Sequence, residues 1–278
     1  MELSMIANQV SDLLLRSPQN YVKDGEHLRS DLIGMQMFDT QPLFCAASAD
    51  DPLFAELQKP GVIGPGYPLP TDWLPEAKSV ISFFLPFTEV VRVANRKAPR
   101  DVIADEWYHA RVEGQIMMDE VGAYVCSLLE QAGHKAVYPA ASENFRMLET
   151  YMPNWSERHT AFVCGLGTFG LSKGLITKRG MAGRFGSVIT SAVITPTPRE
   201  YSDPFEYCIR CGACQRLCPA DAIDPARGPA NAKDNPTCGA FNKSKAQPPQ
   251  KPGQRRHYGC GKCQVGVPCE TRIPPRRG

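Results

Sequence analysis

"YCIRCGACQRLCP", residues 207–219, places Cys208, Cys211, Cys214 and Cys218 at C-x2-C-x2-C-x3-C with a proline directly after. This run holds iron–sulfur cubanes, and its fourth cysteine serves a different cluster from the first three. A second cubane therefore needs further thiolates. Cys238, Cys260, Cys263 and Cys269 lie downstream and bring the number to the eight that two all-cysteine cubanes require. Cys208, Cys211 and Cys214 share one tight loop and are assigned to a first cluster with the distant Cys269. Cys218 follows a turn and is assigned to a second cluster with Cys238, Cys260 and Cys263. Structural zinc also uses C-x2-C pairs, but seldom in a single run of four. Cys45, Cys126 and Cys164 read as small buried hydrophobes.

Around this run, large apolar residues become scarce while Cys, Pro and Gly accumulate, as in "AQPPQKPGQ" at 246–254. Such a segment lacks the means to close an ordinary core, and metal ligation supplies folding energy in its place. The chain is therefore divided into residues 1–200, an α/β cofactor and substrate domain, and 201–278, a ferredoxin-like domain with two [4Fe–4S] clusters. In the front part "SVISFFLPF" (79–87) predicts a buried strand, and 101–131 a long helix ended at Gly133. "KAVYPA" (135–140) and "GSVITSAVIT" (186–195) predict further strands. The opening residues predict an amphipathic helix with Met5, Ile6, Val10, Leu13 and Leu14 on its inner face. The expected class is α/β or α+β, a sheet packed with helices.

Composition narrows the function classes. Of 278 residues, 42% are hydrophobic and 22% charged, as in a globular protein. The net charge of +2 gives no argument for nucleic acid, although "KPGQRRH" (251–257) and "RIPPRRG" (272–278) concentrate basic residues. No secretory pattern opens the chain and no apolar run spans a bilayer, so a cytoplasmic protein is expected. In that reducing compartment eleven cysteines point to metal or redox chemistry.

"CGLGTFG" (164–170) contains G-x-G-x-x-G at Gly165, Gly167 and Gly170. A dinucleotide site also needs an acidic residue about 20 positions on. The first acid after Gly170 is Glu200, so a Rossmann site is not expected. These glycines read instead as a place where backbone approaches a flat or phosphate-bearing ligand. Arg179 and Arg184, interleaved with glycines, read as a phosphate or propionate site or as a solvated loop.

Several motifs together resemble the epoxyqueuosine reductases: "LPEAKSVISFFLPF" (74–87), "EWYHARVE" (106–113), "SERHTAFVCGLGTFG" (156–170), "GSVITSAVIT", "CIRCGACQRLCPADAI" and "YGCGKCQ" (258–264), in family order. The resemblance implies a nitroreductase-like core followed by a ferredoxin module. It also implies two [4Fe–4S] clusters in the partition given above, and a cobalamin that reduces an epoxide on a modified tRNA base. Reductive dehalogenases share this plan. The family's proton-donating aspartate precedes a Tyr-His pair; here Trp107 precedes Tyr108 and His109. The family's Gly-Lys step is altered too, with Leu171 after Gly170 and Lys173 later. The helical-repeat extension that helps hold tRNA has no counterpart in these residues.

The resulting expectation is an oxidoreductase that passes electrons from two [4Fe–4S] clusters to cobalamin, or alternatively to a flavin, to reduce a small molecule or modified nucleoside. Tyr108, His109 and Glu106 are the candidate catalytic residues. Gly165, Gly167, Gly170, Lys173 and Arg184 are the candidate cofactor contacts. A ferredoxin- or flavodoxin-type donor is the expected partner; tRNA is not favoured, and no membrane is expected. The competing expectation is an electron-transfer or activation protein that reduces a partner's corrinoid or flavin and has no substrate of its own.

Overall fold

Eight consecutive residues, Ser79–Pro86, form strand β2, and every one is buried. Their apolar character is continuous because both faces of the strand are covered. Ile81, Phe83 and Leu85 enter one core cluster, while Val80 and Phe84 enter two others on the opposite face. β2 lies between β1 (Leu43–Ser48) and β8 (Gly183–Thr190), and β3 (Ala136–Val137) pairs on the far side of β8. Every ladder in this four-stranded sheet is antiparallel, so within the expected mixed class the arrangement is α+β. Two small antiparallel ladders complete the strands: β4 (Met147–Glu149) with β5 (Met152–Pro153), and β6 (Gly167–Phe169) with β7 (Leu175–Thr177). The computed structural model describes residues 2–149, 152–250, 252 and 254–275.

The helices are α1 (Leu3–Arg16), α2 (Pro52–Glu56), α3 (Pro70–Trp73), α4 (Glu89–Lys97), α5 (Asp105–Val112), α6 (Gly114–Gln131), α7 (Glu157–Val163), α8 (Ala213–Arg216) and α9 (Asn235–Ser244). α1 buries Ile6, Val10 and Leu14, but Met5 is 51% exposed, so the inner face is narrower than its apolar residues suggest. The helix expected over 101–131 begins at Asp105 and divides at Glu113 into α5 and α6. At that junction Glu113 turns inward to two histidines, and Gly114 lies where an added Cβ would stand 3.0 Å from the Phe38 ring. The strand expected over 186–195 starts earlier and stops at Thr190, whose hydroxyl donates to the Lys135 carbonyl. Only two residues of 135–140 pair, since Pro139 opens a 3-10 turn.

After residue 200 the helices are short and cysteines take the place of core aliphatics. Leu171 packs with Cys218, Ala222, Ile223 and Ala232, and Ile176 and Met181 pack with Ala213 and Val267. Residues on either side of position 200 thus share packed clusters, which ties the cysteine-rich segment to the β6–β7 hairpin.

Candidate functional site

The cysteines gather in two sets. One cavity is lined by Cys208, Cys211, Cys214 and Cys269, closed by Leu171, Ile176 and Met181 of the front part. Cys218, Cys238 and Cys263 pack around Leu171 and Ile223, where Cys208 and Cys214 of the first set also reach, and Cys260 lies within electrostatic range of Cys218, Cys238 and Cys263. Cys214 in turn feels Cys263, so the two sets adjoin. Tetrahedral zinc, with Zn–S near 2.3 Å, would hold its sulfurs roughly 3.8 Å apart. Among the described residues the one group of three or more such donors drawn within 4.8 Å of one another is His109, Glu113 and His257; no cysteine trio is so close. The thiols are spread too widely for a single ion and suit the larger body of a cubane.

Local structure explains how the thiols are presented. Arg210 and Gly212 adopt left-handed backbone between the first three cysteines, which curls the loop around a common centre. The Ala222 N–H donates to Cys218 Sγ at 3.3 Å, and the Asn242 amide to Cys238 Sγ at 3.6 Å. Such bonds to sulfur are among the terms that set a cluster's potential. α9, which carries Cys238, is capped by the Asp234 side chain on the Thr237 N–H. Burial pushes the Cys214, Cys260 and Cys269 thiols up to about 12. Cluster loading must therefore displace protons, and it is expected to go faster at pH 8.5 than at pH 6.5 when followed by visible absorbance.

The Cys260–Cys263 loop is fastened to α4 and α5. Asn95 donates to the Cys260 carbonyl at 3.0 Å. Buried Lys262 donates to the Asn95 and Ala98 carbonyls, at the C-terminal end of α4 where a cation is favoured. Glu270 joins Arg92 at 3.0 Å and Arg96 at 3.2 Å, and accepts from the Gly266 N–H. Trp107, buried against Phe87, lies over Gly261. Trp107 is thus a packing residue that seats the cysteine loop.

Tyr108 and His109 do not face an open site. Tyr108 donates its hydroxyl to the Lys245 carbonyl at 2.6 Å, and both residues are buried in the main core. The Leu28 N–H donates to His109 Nε2, which places the ring proton on Nδ1, facing Glu113 at 3.0 Å. His257 Nε2 meets the same carboxylate at 3.1 Å. A metal at this trio would need a lone pair on His109 Nδ1, and a metal-bound imidazole ordinarily donates from its other nitrogen. Here the other nitrogen accepts. The trio is therefore a hydrogen-bonded joint between the α5–α6 junction and the segment leading to Cys260. His257, bland in the sequence, is a member of it; the His109–Glu113 i, i+4 spacing was the legible half. Glu106 pairs with Arg29 at 2.9 Å. These three residues, expected to be catalytic, are engaged in structure.

Glu113 yields a pH prediction. Burial pushes its carboxyl up, but the bonds from His109 and His257 carry it below the usual carboxylate range. A group with a depressed folded value stabilises the fold above its unfolded value, near 4.3, and that stability is lost as pH falls through the folded value. Glu113→Gln is expected to cost about 2 kcal/mol at pH 7, from loss of charge-assisted bonds, and to flatten the acid limb of a Tm-against-pH curve.

The glycine loop also departs from its expected role. A Cβ at Gly167 would overlap the Ile176 carbonyl of β7, and one at Gly170 would meet the Ile176 side chain at 3.4 Å. Gly165 faces Thr197 and Arg199. At Gly167 the chain's own backbone takes the space that a ligand was expected to approach, while Gly165 and Gly170 make ordinary contacts. Arg184 donates to the Arg111 carbonyl at 2.9 Å and to Gln115. Arg179 pairs with Asp39 at 3.0 Å. Lys173 takes a left-handed turn conformation at φ 57° beside the charges of Lys233, Arg158 and Arg227. Gly167 and Arg184, expected to meet a cofactor, are thus engaged within the chain, whereas the cysteine sets fit the clusters.

Comparison with known proteins gives three results. Residues 204–224 match the family model described as a 4Fe–4S binding domain. No curated protein matches the chain. Among solved structures, the catabolic reductive dehalogenase NpRdhA is similar at 12% identity and a TM-score of 0.50, over 84% of this chain and 30% of that one. A selenomethionine-labelled epoxyqueuosine reductase is similar at 18% identity and a TM-score of 0.49, over 82% of this chain and 61% of that one. The epoxyqueuosine reductase from Streptococcus thermophilus follows at 16% identity and a TM-score of 0.46, over 82% and 62%. The chain thus spans about three-fifths of the epoxyqueuosine reductases it matches. What is shared with the dehalogenase is the fold, and the 4Fe–4S binding domain lies within it.

Proposed function

We propose that this chain is an iron–sulfur oxidoreductase in which two [4Fe–4S] clusters relay single electrons to an acceptor in the front part, for reduction of a small molecule or a modified nucleoside. The observation that carries this reading is the pair of adjoining thiol sets, meeting at Cys214 and Cys263 and spaced wider than a single ion allows. When bound, the clusters supply one-electron steps; the chain's own residues hold, orient and shield them. Leu171, Ile176 and Met181 close the first set from water, and Asn95, Lys262 and Trp107 fix the second against α4 and α5. In this reading residues 1–200 bind acceptor and substrate, and 201–278 conduct.

Cobalamin is the acceptor implied by the sequence resemblance, with flavin as the alternative. Similar structures include an epoxyqueuosine reductase with an epoxyqueuosine-modified tRNA stem loop and a reductive dehalogenase, and both chemistries are substrate proposals for this chain. A ferredoxin- or flavodoxin-type protein is proposed as donor, and the reducing cytoplasm as the compartment. Among the described residues no helix is long and apolar enough to cross a membrane.

The backbone packed against Gly167 and the packed Trp107 favour a second reading, an electron-transfer protein serving a partner's cofactor. Anaerobic reconstitution followed by paramagnetic spectra with added cob(II)alamin or FMN separates the two. A changed cobalt signal or a bound flavin is expected of the reductase; no perturbation by either transfers the assignment to the carrier.

A further inference from the structure

Four basic residues converge beside the second thiol set, each held in place through the backbone or a neighbour. Leu171, Ala222, Ile223 and Ala232 are buried in one cluster with Cys218, and Cys238 and Cys263 pack against it. Lys173 stands two residues beyond Leu171, in a turn closed by its N–H on the Gly170 carbonyl at 2.8 Å. Its φ of 57° is left-handed, which a long side chain seldom adopts. Arg158, the second residue of α7, donates to the Lys173 carbonyl. Lys233 follows Ala232 and pairs with Ile223 in an antiparallel bridge. The Asp224 N–H on the Ala232 carbonyl at 2.7 Å and the Asp234 N–H on the Ala222 carbonyl at 2.8 Å flank that bridge. Arg227 reaches Asp234 at 3.6 Å. Lys173 lies in the fields of Lys233, Arg158 and Arg227. Toward the thiols, Lys233 acts on Cys263, and Arg158 on Cys263 and Cys238.

These cations are open to solvent. Arg158 and Arg227 are exposed, and Lys173 and Lys233 are half-buried. Two carboxylates lie close by and both are engaged: Asp234 accepts from the Thr237 N–H and meets Arg227, and Asp224 caps a turn through the Ala226 N–H. Among the described residues, Arg227 alone of the four is ion-paired. Like charges held together repel, so the face is complementary to a negative surface arriving from outside. The segments 170–174 and 223–234 hold no aromatic side chain on which an RNA base would stack. What the face adjoins is a set of thiols whose cluster needs a source of electrons, while Leu171, Ile176 and Met181 close the first set.

We propose that Arg158, Lys173, Arg227 and Lys233 form the docking face for an acidic one-electron carrier protein, which reduces the second cluster first. The proposal rests on the reading that both thiol sets hold redox-active cubanes, and it names where their donor binds. In the step itself one electron leaves the reduced carrier, which is oxidised, and enters the second cubane, which is reduced. No bond forms or breaks and no proton moves. The cations steer the carrier's carboxylates to this face and hold its cofactor near Cys238 and Cys263.

The test uses the full reconstituted chain as wild type, as Lys233→Gln, as the double variant Arg227→Glu with Lys233→Glu, and as Lys78→Glu, an exposed lysine before β2 that controls for net charge. Stopped-flow reduction by a reduced, acidic [2Fe–2S] ferredoxin is followed beside reduction by the methyl viologen radical cation, and ferredoxin affinity is measured by calorimetry. At low salt the ferredoxin rate constant and affinity should each fall about ten- to a hundred-fold in the double variant and by less in Lys233→Gln. Lys78→Glu should match the wild type. Raising salt from about 50 to about 500 mM should weaken the wild type steeply and the double variant little. The viologen rate and the iron content should not fall in any variant. A ferredoxin rate and affinity that survive charge reversal, or that ignore salt, overturn the docking face. So does an equal fall in the viologen rate, which would make the cations a counter-charge for the cluster, and so does lost affinity for an RNA stem loop with ferredoxin binding intact. Clusters that neither reductant reduces overturn the redox reading itself, and the docking face with it.

Discussion

Cys269→Ala and Cys238→Ala are each expected to halve the iron content, from about eight atoms to about four. Each is also expected to abolish one of two paramagnetic signals while sparing the other. Cys269 lines the cavity with Cys208, Cys211 and Cys214, and Cys238 packs with Cys218 and Cys263. A cubane missing one thiolate is held by three and is readily lost. The segment after residue 200 has few aliphatic side chains of its own, so cluster loss also removes folding energy. Both variants should become sensitive to proteolysis between residues 205 and 275. Cys126→Ala, which removes a thiol packed on the main core away from both sets, should keep the full iron complement. Equal iron loss from both clusters in either single variant would show that the sets are not independent.

Gly261→Ala is expected to be among the most damaging single substitutions in the chain. Gly261 has φ 64°, left-handed backbone that costs a non-glycine residue about 1–2 kcal/mol. Its added methyl would overlap the Trp107 indole. Overpacking of this kind costs about 1–3 kcal/mol. The sum of roughly 2–5 kcal/mol corresponds to a Tm lower by about 4–20 °C for a chain of this size. The displaced loop carries Cys260 and Cys263, so the second cluster's signal should broaden or vanish. Trp107→Phe in the same chain should restore part of the Tm, because the smaller ring withdraws from the methyl. An unaltered melting curve for Gly261→Ala would mean that the loop does not rest on Trp107.

The cysteine run and the buried strand were legible because their signals are local. Spacing alone names a cubane motif, and an unbroken apolar stretch names a strand covered on both faces. The sheet order was not legible, since β3 and β8 meet through two residue pairs that no periodicity announces. The glycine loop misled for a physical reason. Gly167 does permit close backbone approach, but the partner is Ile176 of the adjoining hairpin strand, not a ligand. Tyr108 and His109 misled similarly: polar residues that suggest a pocket are spent on Lys245, Leu28 and Glu113. The hydrogen bonds from Trp155 to Ser187 and from Ser187 to Glu157 were likewise hidden, because the fold brings together residues far apart in sequence.

The central claim is that eight thiolates hold two redox-active cubanes against the front part of the chain. Metal analysis of anaerobically purified, reconstituted protein, combined with paramagnetic resonance of the dithionite-reduced state, tests it most directly. About eight iron atoms per chain and two interacting reduced-cluster signals are the expected result. Stoichiometric zinc, or iron that stays spectroscopically silent on reduction, would contradict it.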